Sequence, residues 1–268
     1  MAGHVFAVCA YQESPYLAEC FQSLCGQTVK SDIIVCTSTP NRFIKELCED
    51  YGLPLYVREG DSSLLGDWNF AAETAVRERG AELVTIAHQD DRYHPEYAEA
   101  LLSAWERWPD MSLFCTRYRT IDALGEATEG SAERVKRLLR MPLRLKILAD
   151  RRFLKRLCLR FGNSIGCPSC TYVLKRTALP LFRHDYDFVI DWDTLWRLAG
   201  EKGRFICEER ELMDYRVHSG AATMENIRNH NREREELFMF SRMWPRPVAR
   251  LLMYFYRQAS RPYQDQDA

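Results

Sequence analysis

Apolar, strand-like segments alternate with helical segments over the first ninety residues of this 268-residue chain. The strand candidates are, in order, "HVFAVCAY", "DIIVCTS", "LPLYVRE" and "ELVTIA". Each of the first three precedes a segment with apolar residues at helical spacing: "YLAECFQSLC", "RFIKELCEDYG" and a helix expected from about Asp67 to Arg79. This alternation predicts an α/β fold, with a mostly parallel, Rossmann-like sheet that helices flank on both faces.

The second half of the chain has further strand and helix signals. "MSLFCTRY" and "SCTYVLKR" are strand candidates, and "DFVIDWDTLWRLAGEKGRF" is expected to form a turn, a helix and a turn. "ELMDYRVHSG" has the period of a strand, one side of which carries Leu212, Asp214, Arg216 and His218. Beyond about Glu225 we expect helical structure that breaks at Pro245 and Pro247.

Two adjacent carboxylates, Asp90 and Asp91, follow the fourth predicted strand, and His88 and His94 flank them. Ligands of open parallel sheets bind beyond the carboxyl ends of the strands, which here lie at residues 11–13, 37–41, 60–69 and 88–91. Neighbouring carboxylates repel one another, and Mg²⁺ or Mn²⁺ neutralises such a pair with oxygen ligands. The alternative is a solvated turn in which Asp91 caps the next helix.

The overall composition is that of an ordered globular protein, with 46% hydrophobic and 28% charged residues. The formal net charge of −1 excludes a general polyanion binder. No apolar run approaches the roughly 18 residues that a membrane-spanning helix needs, and the N-terminus lacks the features of a secretory signal. These observations predict a cytoplasmic protein.

The ten cysteines include several within apolar segments, where Cys packs as a small hydrophobic residue. Cys167 and Cys170 have CxxC spacing, so a thiol oxidoreductase or half of a zinc site is an alternative for them. No second CxxC and no His pair at finger spacing follows. The sequence therefore favours structural, reduced thiols.

Residues 134–160 contain eleven Lys or Arg side chains and a single acid, Asp150, with leucines interleaved among the cations. The later segment "PVARLLMYFYRQASRP" is similarly basic and amphipathic. Such stretches are typical of elements that lie on a membrane surface. The alternatives are a solvated helical face packed on the main domain, or a nucleic-acid site, for which there is no motif or aromatic platform. We expect peripheral association with the inner face of a membrane and no nucleic-acid partner.

Six motifs occur in order along the chain: "AYQES", "IIVCTSTPN", "GDWNFA", "IAHQDD", "VIDWDTLWRLAGEKG" and "DYRVHSGAAT". In this order residues 5–223 resemble a family-2 glycosyltransferase of the GT-A fold. The resemblance implies a glycosyltransferase domain at residues 1–223, with a nucleotide-binding half at 1–118 and an acceptor-binding, catalytic part at 163–223. The basic segment is then a helical insertion at about 132–162, and residues 224–268 form a C-terminal helical extension.

The resemblance implies a metal site at "HQDD", which matches the DXD-type element of the family. Asp90 and Asp91 are expected to hold Mg²⁺ or Mn²⁺ against the donor diphosphate, and His218 matches a position near that diphosphate where an imidazole binds metal or phosphate, so it is a further expected metal ligand. His88 stands where an acidic residue is common in the family, and we expect it to contact the ribose or the metal.

Donor contacts are implied at the strand ends and at the start of the third helix. The expected donor-binding residues are Tyr11, Glu13, Thr37, Ser38, Asp67, Asn69, His88 and Arg216. The second strand departs from the family pattern, because "CTSTPN" has no carboxylate where acids are common. For "AYQES" the alternative is a turn in which Ser14 caps the first helix.

Asp191 matches the catalytic base of the family, although Ile190 replaces the Glu that usually precedes it. Asp193 is the alternative choice of base, and a further alternative is that Asp191 simply caps the helix that follows. These matches predict a metal-dependent, inverting transfer of a sugar from a nucleotide-diphosphate donor, with a UDP-sugar expected, to a hydroxyl of a saccharide or lipid-linked acceptor. That acceptor would be a precursor of a cell-surface polysaccharide or glycolipid.

Two other functions stay open at this point. A non-catalytic module that binds sugar nucleotides is compatible with the altered motifs. A nucleotidyltransferase also joins such a sheet to acidic metal ligands, but it would normally have a Gly-rich, basic loop after the first strand, and "AYQESP" has neither feature.

Overall fold

The computed structural model describes residues 3–128, 131–184, 186–220 and 231–260, with the backbone alone for residues 131, 132 and 256–260. The strands are β1 (His4–Ala10), β2 (Asp32–Thr37), β3 (Leu55–Val57), β4 (Leu83–His88), β5 (Arg92–Tyr93), β6 (Met111–Ile121), β7 (Cys170–Val173) and β8 (Arg204–Arg216). Within the described residues they form one sheet in the order β3-β2-β1-β4-β7-β6-β8-β5.

The helices cover both faces of this sheet. They are α1 (Leu17–Cys25), α2 (Arg42–Tyr51), α3 (Leu64–Arg79), α4 (Tyr97–Arg107), α5 (Ser131–Arg140), α6 (Arg152–Leu159), α7 (Ile190–Leu198), α8 (Asn231–Met243) and α9 (Arg246–Ser260). Short 3₁₀ turns at Met141–Arg144 and Lys146–Leu148 join α5 to α6. None of the described helices has both the length and the apolar composition that a bilayer crossing requires.

The predicted parallel pairing of the first four strands is confirmed, since β1 pairs in parallel with both β2 and β4, and β2 with β3. The strand β7 runs antiparallel between β4 and β6. Successive residues of β1 point to opposite faces. Val5 and Ala7 pack with α3 and α7, whereas Phe6 and Val8 pack with α1 and α4. The sheet is therefore buried on both sides, as predicted.

Two elements begin earlier than the sequence predicted, and one strand was not predicted. Helix α3 begins at Leu64 rather than near Asp67, because the Ser63 hydroxyl accepts a hydrogen bond from Gly66 N and caps the helix a turn earlier. Strand β8 already begins at Arg204, since it pairs with the long neighbouring strand β6. The strand β5 was not predicted; its two residues are too few for a periodic pattern, and it exists through its pairing with β8.

The C-terminal helices agree only in part with the prediction. Pro245 lies between α8 and α9, where it ends the helical run. Pro247 does not break a helix, because it lies in the first turn of α9, where the backbone N–H that proline lacks would have no helical partner. Residues 225–230, which were expected to be helical, lie outside the described residues.

Candidate active site

The carboxyl ends of β1, β2 and β4 lie side by side, and hydrogen bonds tie together the loops that follow them. The Gln89 side chain accepts from Tyr11 N at 2.8 Å and donates to Tyr11 O at 3.1 Å. The Thr39 hydroxyl accepts from Gln12 N at 2.7 Å. Gln12 has a φ of 51°, a left-handed conformation that is strained for a residue with a side chain and is typical of functional loops. Tyr11 and Glu13, both predicted donor ligands, are exposed on this loop.

Asp90 faces two side chains from other elements. Its Oδ1 accepts from the Ser14 hydroxyl at 2.8 Å, and its Oδ2 lies 3.2 Å from His218 Nε2 without the alignment of a hydrogen bond. The expectation that Ser14 caps the first helix is wrong, because α1 begins at Leu17 without a side-chain cap. The Ser14 hydroxyl instead orients the Asp90 carboxylate.

Asp91 points into the protein and is only 2% exposed. Its Oδ1 accepts from Arg216 N at 2.9 Å, whereas its buried Oδ2 has no hydrogen-bond partner among the described residues and lies 4.0 Å from His88 Nδ1. Burial raises the pKa of this carboxyl well above its usual range, against the opposing effect of the Arg216 hydrogen bond. The capping hypothesis is wrong, because α4 begins at Tyr97 after Glu96 and has no side-chain cap.

The His88 ring stacks on Trp68, with ring centroids 5.2 Å apart. Burial lowers the pKa of His88 to about 4, although Asp90 opposes this effect, so the imidazole is neutral near pH 7. A neutral imidazole has a lone pair available for a metal or for a ligand hydroxyl. The contact of His88 with the ribose or the metal stays a prediction.

Arg216 is 3% exposed, and its guanidinium is engaged by the protein itself. The Nε donates to Asp90 O at 2.9 Å, Nη1 donates to the carbonyls of residues 122 and 123, and Nη2 pairs with Glu19. The guanidinium also lies over the Tyr16 ring, 4.4 Å from its centroid, and that ring lies 4.9 Å from the ring of His218. Because these contacts occupy the guanidinium, they argue against phosphate binding by Arg216. The side chain instead holds the loop that carries Asp90 in place.

Asp214 anchors the strand that carries Arg216, a structural role that the sequence analysis missed. It accepts from His94 at 3.1 Å and from Arg92 and Arg119 at 3.0–3.1 Å. Burial opposes ionisation of this carboxyl, but the hydrogen bonds from His94 and Arg119 outweigh it and hold its pKa well below the usual value. The alternation of side chains along the strand places Asp214 on the same side as Arg216. This alternation was the feature of the sequence that could have indicated the role of Asp214.

Asp191 lies in the first turn of α7 and is half-buried. Its Oδ2 accepts from Asn163 Nδ2 at 2.8 Å, and its Oδ1 accepts from Trp192 N at 2.7 Å. Burial raises the pKa of Asp191, and the Asn163 hydrogen bond partly offsets this rise. The capping alternative is wrong, because the residue that precedes the helix is Val189.

The start of α7 is held by a carboxylate that the sequence analysis did not single out. Glu235, from α8, accepts hydrogen bonds from the backbone N–H groups of Asp187, Phe188 and Val189 at 2.8–3.1 Å. It thereby provides a hydrogen-bond acceptor for backbone N–H groups that lie just before α7. Asp193, the other acid of this turn, pairs with His184 at 2.6 Å and with Arg242 of α8. Asp193 is buried and fully engaged, and only Asp191 has a partly exposed carboxylate in the first turn of α7.

The remaining predicted donor ligands lie around the end of β2 and the start of α3. Asp67 accepts from Arg58 at 2.8 Å and from the hydroxyls of Ser38 and Ser62 at 3.0 Å each. Thr37 is buried. Asn69 exchanges two hydrogen bonds with the backbone of Phe182 at 2.8 and 2.9 Å. The structure thus brings Ser38 and Asp67 together, while the Asn69 amide holds a loop of the second half of the chain.

The sequence profile of glycosyl transferase family 2 matches residues 5–179. The chain belongs to glycosyltransferase family 2. A comparison with curated proteins gave no match. The family and the mixed sheet together identify the fold as GT-A, as the sequence resemblance implied, and the protein as a glycosyltransferase.

Solved structures of other transferases share this fold. Staphylococcus aureus TarS 1–349 is 11% identical, with a TM-score of 0.59 over 97% of this chain and 72% of that one. The mannosyltransferase PcManGT from Pyrobaculum calidifontis, in complex with GDP-Man and Mn²⁺, is 17% identical, with a TM-score of 0.60 over 96% of this chain and 69% of that one. Glucosyl-3-phosphoglycerate synthase from Mycobacterium tuberculosis is 12% identical, with a TM-score of 0.55 over 90% and 80%. At these identities the likeness concerns the fold.

In this family 2 glycosyltransferase, the metal-ligating atoms near Asp90 fit a divalent cation that is bound partly by the protein and partly by a substrate. Among the described residues no group of three His, Cys, Asp or Glu side chains forms a complete metal cage. However, Mg²⁺ commonly takes only one or two protein ligands and completes its shell with substrate phosphates. Two neighbouring ligands of an octahedral ion lie about 3 Å apart. The 3.2 Å between Asp90 Oδ2 and His218 Nε2 agrees with this spacing.

The cysteines of the glycosyltransferase are free thiols, all of them within the described residues. Burial raises the pKa of both Cys167 and Cys170 well above the usual value. Cys170 donates to Gly166 O at 3.2 Å, and the Tyr172 hydroxyl lies 3.6 Å from Cys167. Because the thiolate is the reactive form, these thiols are poorly suited to redox chemistry.

Proposed function

We propose that this glycosyltransferase is an inverting, metal-dependent enzyme that transfers a sugar from a UDP-sugar to a hydroxyl of a saccharide or lipid-linked acceptor. The acceptor class would be a precursor of a cell-surface polysaccharide or glycolipid. The observation that carries the proposal is the convergence of Asp90 Oδ2 and His218 Nε2 at the carboxyl end of β4, 3.2 Å apart. The cytoplasmic location stays a prediction from the sequence.

The donor would lie across the carboxyl ends of β1, β2 and β4. The exposed Tyr11 and Glu13 flank this edge, together with Ser38, Asp67 and the neutral His88. Structures with the same fold were solved with related donors: TarS 1–349 with UDP-GlcNAc, at a TM-score of 0.55, and PcManGT with GDP-Man and Mn²⁺. This supports a nucleotide sugar as the donor, with uridine as our choice of nucleoside.

Asp90 and His218 would hold Mg²⁺ or Mn²⁺, and Asp91 stays a predicted ligand through Oδ2 alone. When bound, the cation would stabilise the negative charge that develops on the departing diphosphate. The protein's own contribution is to fix the donor atoms: Ser14 holds Asp90 Oδ1, and Arg216 holds the Asp90 carbonyl. These two contacts leave Asp90 Oδ2 directed at His218.

Asp191 would act as the general base. Its carboxylate takes the proton of the acceptor hydroxyl while the acceptor oxygen forms a bond to the anomeric carbon. The bond from that carbon to the diphosphate breaks at the same time, and the diphosphate leaves with the electron pair. The raised pKa of Asp191 makes it a stronger base than an ordinary carboxylate, and Asn163 fixes the direction of Oδ2.

A thermal-shift panel tests the donor site directly. UDP, GDP, dTDP and CMP would each be added with and without Mn²⁺ to the wild type, Asp90→Asn, His218→Ala and the matched control Asp32→Asn, an exposed acid at the start of β2. At about 100 times the dissociation constant a ligand adds about 2.7 kcal/mol to the free energy of unfolding.

We expect UDP to stabilise the wild type and Asp32→Asn mainly in the presence of Mn²⁺. The Mn²⁺-dependent part should disappear in Asp90→Asn and shrink in His218→Ala. An equal shift in all four proteins would refute the metal site. A larger shift with GDP would replace uridine by guanosine as the nucleoside.

A further inference from the structure

The segment at 131–161 presents a surface, here named the basic face, on which apolar and cationic side chains are exposed together. Eight of the seventeen exposed large apolar side chains of the described residues belong to it: Val135, Leu138, Met141, Leu145, Ile147, Leu148, Phe153 and Phe161. Ile147, Phe153 and Leu138 are 76%, 69% and 63% exposed. Such a concentration of exposed apolar side chains marks an interaction surface.

Helix α5 has one side that anchors it and one that faces solvent. On the inner side the buried Arg140 donates to Ser164 O at 2.6 Å, and Lys136 donates to the Tyr118 hydroxyl. The outer side carries Arg137 and Leu138, and Met141 of the 3₁₀ turn that follows the helix is exposed as well. The outer side chains are therefore not needed to hold the helix on the domain.

The charge of the basic face is positive although the chain as a whole has a net charge of −1. Arg137 and Arg152 are exposed and form no ion pair with a described residue. Helix α9 contacts α5 and has exposed apolar and cationic side chains of its own: Leu251, Tyr254, Phe255 and Arg250.

We propose that the basic face docks on the surface of an anionic lipid bilayer. The apolar side chains would enter the boundary between headgroups and acyl chains, while the cations would pair with the anionic headgroups. A second copy of this chain fits less well, because an isologous contact would set the same cations against one another. A nucleic acid would leave Leu138, Ile147 and Phe153 without an apolar partner. This docking does not depend on the proposed donor, metal or base.

The basic face also lies close to the proposed base. Arg140 binds the carbonyl of Ser164, and the neighbouring Asn163 binds Asp191. A helix with its side chains is about 10–12 Å across, so a bilayer on the outer side of α5 would lie about one helix diameter from this loop.

Sedimentation with sucrose-loaded vesicles tests the docking. The full chain would be mixed with vesicles of phosphatidylcholine alone and with vesicles that contain about one third phosphatidylglycerol; we expect an apparent affinity roughly tenfold higher for the anionic vesicles. The variant Leu138→Glu/Phe153→Glu should lose most of this binding. The control Leu124→Glu, at an 87% exposed apolar residue outside the basic face, should retain it.

The charge is tested separately with Arg137→Glu/Arg152→Glu, against Arg79→Glu on the exposed end of α3. The first variant should lose the preference for anionic vesicles, whereas the second should keep it; thermal unfolding would verify that each variant folds. Equal vesicle binding by the wild type and both double variants would overturn the proposal. So would a wild-type dimer that Leu138→Glu/Phe153→Glu abolishes, or binding to duplex RNA, if either occurs without vesicle binding.

Discussion

The two carboxylates of the proposed mechanism, Asp90 and Asp191, are held in different ways. Ser14 and His218 contact the oxygens of Asp90, and the buried Arg216 holds its carbonyl. Among the described residues the Asp191 carboxylate accepts from the Asn163 side chain, and it otherwise depends on the start of α7. The donor side, meaning the proposed donor site around Asp90 at the sheet edge, is thus supported by a network of charges. The acceptor side, meaning the surroundings of Asp191, is supported by the Asn163 amide and the N-terminus of α7.

This difference predicts where each side is vulnerable. Removal of a buried charge at the donor side should cost stability, because its partners stay behind inside the protein. Substitution of Asp191 itself should instead alter the reaction with little effect on folding, because its side chain is half-buried. The contrast can be tested from the largest effect to the smallest.

Asp191→Asn should give the largest effect. General base catalysis typically contributes about 10²- to 10⁴-fold to a rate, and the amide cannot accept the proton. We expect kcat for sugar transfer to fall by that amount, while the Mn²⁺-dependent thermal shift with the nucleoside diphosphate stays as in the wild type. Asp193→Asn should leave donor binding intact but lower the melting temperature, because Asp193 is buried between His184 and Arg242.

Full activity in Asp191→Asn would assign the base to another residue. A wild type that binds the donor and has no transferase activity with any acceptor would favour a non-catalytic binding module.

Arg216→Met should give the largest loss of stability. It removes an ion pair with Glu19 and three hydrogen bonds to backbone carbonyls, and we expect the free energy of unfolding to fall by about 3 kcal/mol. Arg42→Met removes the exposed ion pair with Glu46 and should cost less than about 0.5 kcal/mol. Urea denaturation measures both changes. Equal losses in the two variants would contradict the proposed support of the Asp90 loop.

The donor side was predictable from the sequence to a useful degree, because its elements are local. The strands β1 to β4 have continuous apolar runs, and the parallel order follows from the helices between them. These local patterns suffice to place Tyr11, Thr37 and Asp90 at one edge of the sheet. The opposite orientations of Asp90 and Asp91 were not predictable, since they depend on Arg216, which arrives from β8 more than a hundred residues later.

The acceptor side was less predictable for the same physical reason. The motif around Asp191 was recognised, but Glu235 and Arg242 lie in α8, beyond the matched residues 5–179, in a segment without a local motif. A carboxylate that accepts hydrogen bonds from three backbone N–H groups of another segment leaves no local pattern in the sequence. Likewise, β7 enters the sheet between β4 and β6 through tertiary pairing alone.

Glu235→Ala tests how far the N-terminus of α7 supports catalysis by Asp191. Three backbone N–H groups before α7 lose their acceptor, so we expect a loss of about 2 kcal/mol in stability and a roughly tenfold fall in kcat as Asp191 becomes less well positioned. Glu235→Gln keeps one acceptor oxygen and should recover part of both losses. The thermal shift produced by donor and Mn²⁺ should be the same in both variants. Unchanged kcat in Glu235→Ala would separate the helix terminus from catalysis.

Asn163→Ala should give the smallest effect, one visible only in the pH dependence. Burial raises the pKa of Asp191, and the Asn163 hydrogen bond counteracts this by stabilising the ionised form. Because the base must be ionised, kcat falls as the pH drops through this pKa. Loss of the hydrogen bond raises the pKa further, so the acidic limb of the kcat profile should move to higher pH.

The matched control for this shift is Asn231→Ala, which removes another amide–carboxylate hydrogen bond, to the exposed Asp187. It should leave the acidic limb in place, because Asp187 takes no part in the proposed transfer. If the limb moved equally in both variants, the titrating group would not be Asp191. If it moved in neither while Asp191→Asn abolished turnover, Asp191 would act in its ionised form without Asn163 as a partner, and the acceptor side would be supported by the helix terminus alone.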